Sequence, residues 1–250
     1  MNVNALIMKT YFFSLLFLSS LISTQCSSQL KLKDIISTKT SGGGSSITEK
    51  EAGQGIKEAL SQGVTNAVLN LNKTDGFFGS DIYKMLLPPD AKKIETTLRN
   101  IGMGAEVDKA ILAINRGAED AVGYAKPIFV DAIKQMTLTD ALNIVKGNKD
   151  AATQYFKQKT SQQLIIAFTP SIKSSLEKTN ATKYYADIVN TYNKLPTTFN
   201  KVNPDLVSFV VGKAVEALFD QVAKEEANIR ANPAARATDI LKKVFGSVVK

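Results

Sequence analysis

From Thr48 onward the apolar residues of this chain recur three and four positions apart, interrupted by proline, glycine and short polar turns, and no stretch alternates with period two between hairpin signals. Only a helix turns such spacing into one buried stripe, so the pattern excludes a sheet and admits a helical bundle. Thr48-Glu49-Lys50-Glu51 predicts a capping box, opening a helix whose face carries Ile56, Ala59, Leu60, Gly63, Val64, Ala67, Val68 and Leu71. Pro88-Pro89-Asp90 opens the next, with Ile94, Leu98 and Ile101 inward and Gly102 as its stop. Val107, Ile111, Ile114, Ala118 and Ala121 mark a third, which Gly123 and Pro127 should break. Pro127 then begins a segment to Gln135, and Thr139-Asp140 a short one ended by Gly147.

Asp150 to Phe168 reads as another helix and Thr169-Pro170 as the start of its successor, because an interior proline forfeits a backbone hydrogen bond. Ala181 to Lys194 presents Tyr185, Ile188, Val189 and Tyr192, and ends at Leu195-Pro196. Asn203-Pro204 starts the longest segment, striped by Leu206, Val210, Ala214, Ala217, Leu218, Val222 and Ile229; Asn232-Pro233 restarts the chain into a last helix with Ile240, Leu241, Val244 and Phe245. The expected fold is all-α, an irregular multi-helix bundle of about eight to ten helices in one domain over residues 48–246, with a C-terminal tail at 247–250. Helix lengths and caps vary without a fixed period, which argues against a regular solenoid.

Ahead of the bundle, Lys9 precedes the apolar run Tyr11 to Ile22, the layout of a secretory signal over residues 1–25. That run has 12 residues, short of the roughly 20 that a spanning helix needs. Met8-Lys9-Thr10 offers an alternative start. Cys26, the chain's one cysteine, stands just past the run and is a candidate for lipidation, although Ser23 and Gln25 occupy places where lipoprotein signals carry Leu and a small residue. The competing reading is cleavage beyond it, at Ser27 or Ser28. Residues 26–47, with Ser41-Gly42-Gly43-Gly44-Ser45-Ser46, read as a flexible tether or linker, or as a plain disordered tail.

Composition closes several chemistries. The 250 residues contain no His, which removes the Ser-His-Asp triad, an imidazole base and His-containing metal sites. A single Cys leaves no disulfide within one chain. Gly212-Lys213 lacks the earlier glycine of a phosphate loop, and the residues around Asp75-Gly76 lack calcium-loop ligands. No motif calls for a cofactor or a metal, and none assigns a catalytic residue. The formal charge of +8 favours anionic partners.

The segments Gly55-Ile56-Lys57-Glu58-Ala59-Leu60, Thr74-Asp75-Gly76-Phe77-Phe78-Gly79, Asn115-Arg116-Gly117-Ala118-Glu119, Ala125-Lys126-Pro127-Ile128-Phe129, Ala151-Ala152-Thr153-Gln154-Tyr155-Phe156 and Asn232-Pro233-Ala234-Ala235-Arg236 resemble those of an uncharacterised bacterial family, domain of unknown function 4197. The resemblance covers roughly residues 50 to 246 and implies an exported, helical bacterial protein. It supplies no activity, cofactor or catalytic residue. It departs at Gly117, where the family carries Ala, a difference that bears on helix packing.

Three groups of residues are candidates for binding. Arg116 and Glu119, with Asn115, and Asp131 with Lys134 on the following segment, could converge on a polar site between helices; the simpler reading is pairing within each helix. Phe77 and Phe78, between glycines, either insert into a membrane or partner, or fold back as a plug. Nine Lys against four acids over residues 126–183 form either a surface for anionic lipid or glycan, or a solvated helix face.

The expected function is therefore a non-enzymatic binding or interaction module, exported to the bacterial cell envelope as a periplasmic protein or a membrane-anchored lipoprotein. An envelope protein, lipid or glycan is its expected partner, with membrane contact through the anchor and nucleic acid disfavoured. The alternative is a His-free enzyme acting on an envelope glycan or other anionic substrate, with Glu119 and Asp131 as its facing carboxylates.

Overall fold

Several helix ends fall where the chain carries identifiable capping chemistry, at Gly102, Thr137 and Asp205. The computed structural model describes residues 49–178, 180–194, 196 and 201–232. The signal over 1–25, Cys26, the linker, Thr48, Leu195, and the expected last helix and tail lie outside the described residues. All the described residues belong to one compact unit. Among them are α1 (Glu49–Asn72), a 3-10 turn (Pro89–Ala91), α2 (Lys92–Asn100), α3 (Gly104–Val122), α4 (Ala125–Gln135), α5 (Leu138–Lys146), α6 (Ala151–Lys178), α7 (Ala181–Asn193) and α8 (Leu206–Ala231). The architecture is all-α, as the periodicity requires.

Gly102 ends α2 as expected. At φ +89° it lets its own N–H donate to Arg99 O and the Met103 N–H to Leu98 O, satisfying carbonyls that the helix leaves open. Helix α5 starts one residue before the expected Thr139, because Thr137 is the true cap: its Oγ1 accepts from Asp140 N while the Asp140 carboxylate accepts from Thr137 N. Asp205 caps α8 by accepting from Ser208 N.

The long α6 and α8 pack along each other; α3 lies against α6, α1 against α8, and α4 and α5 close over α1. The stripes drawn from sequence on α1, α3 and α8 are inward, with Leu60 half-buried and their other members buried. Phe129 stacks edge-on against Phe156 and Phe219, joining α4, α6 and α8. Helix α2 differs: it touches α3 and the 3-10 turn at the rim, has no buried residue, and leaves Ile101 66% exposed, so the expected stripe is only half covered.

Across the described span there is one helix fewer than the punctuation predicts, since Pro170 lies inside α6 instead of dividing it. Leu164, Phe168, Ile172 and Leu176 are all buried at four-residue steps on either side of the proline, so breaking the helix would expose apolar surface. Pro170 and Ile166 face solvent, where water can satisfy the carbonyl that proline cannot reach. Packing therefore outweighs propensity. Pro170→Ala should restore the missing bond and raise the stability seen in urea unfolding by about 1–3 kcal/mol.

Candidate functional site

The sequence candidates at Arg116, Glu119, Phe77 and Phe78 meet at one place. Glu119 is 3% exposed on the inward face of α3. Its Oε1 accepts from the backbone N–H groups of Phe77 and Phe78, each at 3.1 Å, and its Oε2 from Arg116 Nη1 at 2.6 Å. The other arm of Arg116 reaches Asp75 Oδ1 at 2.7 Å. Asp75 takes φ +65°, a conformation that Asp tolerates better than most residues, and a side chain at the following Gly76 would strike the Leu71 carbonyl. Asn72 Nδ2 closes the turn onto Glu119 O at 2.7 Å. Thus α3 grips the loop after α1 through charge-assisted hydrogen bonds.

Phe77 is fully buried in the main core and Phe78 half-buried, with Lys84 Nζ 4.3 Å from the Phe78 ring centre. The loop is a plug, with Lys84 standing over its outer ring. One α3 turn earlier, buried Asn115 accepts from Met85 N and donates to Met85 O, both at 2.8 Å, pairing its amide with the backbone as a strand would. Gly117 lies against Ser175 of α6; an Ala there would come 3.0 Å from Ser175 Cβ, tight enough to make that neighbour give.

Downstream, Tyr83 donates to Asp220 Oδ2 of α8 at 2.6 Å and accepts from Lys224 Nζ at 2.6 Å, while Lys224 also pairs with Asp220 at 2.9 Å. Burial, followed by the Asp220 carboxylate, pushes the Tyr83 phenol above its ordinary value. The hydrogen bond from Tyr83, then Lys224, holds Asp220 below the carboxylate range. This phenol is a hydrogen-bonding anchor, not an activated base.

Held at Met85 and Tyr83, the segment 82–95 forms one wall of a groove of about 880 Å³ whose other walls are the first turns of α6 and the outer face of α8. Ile82 and Leu86 project into solvent beside it, 72% and 57% exposed. A second cavity, between α1, α5 and α8, is about 30 Å³, too small for more than a water.

Asp131 and Lys134 do not join this site. They form an exposed pair at 3.3 Å on α4, the simpler of the two readings. The facing carboxylates expected for an enzyme are therefore not assembled: both Glu119 oxygens are occupied inside α3's contact, and Asp131 faces water. All nine lysines of the basic stretch are exposed across α4 to α7 and the turn before α6, and of these Lys157 lines the groove. Sequence reasoning missed Asn115's role, Tyr83, Asp220, Lys224 and Glu226. Glu226 did leave a signal, since it occupies an inward position between Val222 and Ile229.

The model of a family described as protein of unknown function (DUF4197) matches residues 46–246. The chain belongs to the DUF4197 family. No curated protein and no solved structure matches it. Among the described residues of this DUF4197 member, no helix is long and apolar enough to cross a membrane.

Two outcomes follow from this geometry. Glu119→Gln, which sets an amide donor against Arg116 or the loop N–H groups, should lower urea stability by about 2–3 kcal/mol and speed hydrogen exchange at Phe77 and Phe78, whereas Asp131→Asn should stay within about 0.5 kcal/mol. In a ring-carbon NMR titration, Tyr83 should ionise above the ordinary 10.0. Asp220→Asn should move that midpoint down and Lys224→Met should move it up.

Proposed function

We propose that this DUF4197 protein is a binding module of the bacterial cell envelope, exported and tethered through Cys26, whose recognition surface is the groove between segment 82–95, α6 and α8. The observation that carries the reading is that Ile82 and Leu86 stand exposed beside a cleft large enough for a ligand, on a segment fastened at both Met85 and Tyr83. Large side chains held rigidly in water are characteristic of contact surfaces, because burying them later costs little ordering entropy. Binding is favoured over turnover because the acidic groups near the groove are already engaged. Tyr83 is held protonated, and Asp220, Glu216 and Glu95 sit in ion pairs with Lys224, Lys213 and Arg99. The N-terminal reading rests on the apolar run from Tyr11 to Ile22 and the cysteine that follows it.

Mass spectrometry of protein purified from its native membranes tests both halves. Under denaturing conditions the chain should begin at Cys26 with a diacyl or triacyl mass; an unmodified chain beginning later would remove the tether. Under native conditions a non-covalent adduct should be present, and Ile82→Asp with Leu86→Asp should abolish it without unfolding the protein, since both positions are exposed. An adduct that survives those substitutions would exclude the groove.

A further inference from the structure

We infer that the groove takes a single-chain anionic amphiphile, one acyl chain bearing one phosphate, and this rests on the groove's being the recognition surface. Its lining carries charges of both signs, but they are not equally committed. Glu95 is paired with Arg99, Glu216 with Lys213 and Asp220 with Lys224, and Asp150 accepts from Gln154. Three ammonium groups remain: Lys84, Lys92 and Lys157 line the groove and make no ion pair among the described residues, and Lys84 also stands over the Phe78 ring. Lys157 lies in the field of Asp150 and Asp220, and its Nζ is 5.9 Å from the Phe219 ring centre. Asp150, whose carboxylate is bonded to a neutral amide, keeps its charge, so three unpaired ammonium groups against one carboxylate leave net positive charge beside an apolar wall made by Ile82, Leu86 and half-buried Leu87.

That combination asks for a ligand with an apolar length and an anionic end. The space, about 880 Å³, falls within the roughly 300–1,000 Å³ of small-molecule sites. The kind of cation distinguishes phosphate from the carboxylates of an acidic peptide. A planar carboxylate is best matched by the two-pronged guanidinium, and among the described residues no arginine lines the groove. Lysine, a compact point charge with three rotatable donors, suits the tetrahedral oxygens of a phosphate monoester. All three lysines are exposed, so none pays for desolvation before the ligand arrives.

Calorimetric titration of the full chain carrying Cys26→Ser, so that no anchor competes, tests this with dodecyl phosphate below its micellar concentration. One dodecyl phosphate should bind per chain at least about tenfold more tightly than dodecyl maltoside, and inorganic phosphate should give no signal at the same concentrations. Lys84→Gln with Lys92→Gln and Lys157→Gln should erase the preference between the two detergents, and Leu86→Asp should abolish binding of both, with circular dichroism unchanged. Equal affinity of the unsubstituted protein for the two detergents, or no effect of the three lysine substitutions, would overturn the phosphate assignment. Binding of an acidic amphipathic peptide in place of dodecyl phosphate would overturn the ligand class while the groove reading stands. Absence of all binding, together with no groove-dependent adduct on native protein, would overturn both.

Discussion

The carboxylate of Glu119, buried on the inward face of α3, accepts from two consecutive backbone amides of the loop after α1 and from its own helix neighbour Arg116. A carboxylate taken out of water without partners would cost several kcal/mol, so its burial requires that loop to be where it is. The dependence runs both ways. Phe77 and Phe78 have amides that need an acceptor where the Phe77 ring enters the core, and Glu119 provides it. From this point the chain is led to Tyr83 and Met85, which α8 and α3 hold in turn, and the wall of the groove follows.

The same device recurs at the other end of the bundle. Glu226, 8% exposed on α8, accepts from the N–H groups of Ala152 and Thr153 and from Thr153 Oγ1, so that its charge faces the open amides at the start of α6. Arg230 neutralises it and with the same guanidinium donates to Ile144 O at the end of α5. One ion pair on α8 thereby caps the end of one helix and the beginning of the next. In both places a glutamate interrupts an apolar stripe, and in both an arginine three or four residues away on the same helix shares the charge.

Much of this fold was legible in advance because helical periodicity and caps are local. The stripes of α1, α3 and α8 and the stop at Gly102 act within one or two turns of chain. Pro170 was misread for a corresponding reason: its cost is local, but the gain from burying Phe168 and Ile172 in one continuous helix comes from other elements. Ile101 failed likewise, since an apolar residue at the right spacing is covered only if a neighbour lies over it. At the site, Arg116, Glu119, Phe77 and Phe78 could be named, as two separate candidates. That they are a single clamp, and that Asp131 stands apart from it, depends on contacts between residues about forty positions apart.

The sequence by itself determined the class of fold, the helix faces and the chemistries closed to a chain without histidine, because spacing and composition do not depend on what packs against what. Only the tertiary structure decided which carboxylates are buried and committed, which lysines stand unpaired, and that Tyr83, Asp220 and Lys224 come together. The physical reason is that hydrogen bonds and ion pairs act over a few ångströms. Chain separation carries no record of that distance until the apolar stripes have chosen their partners.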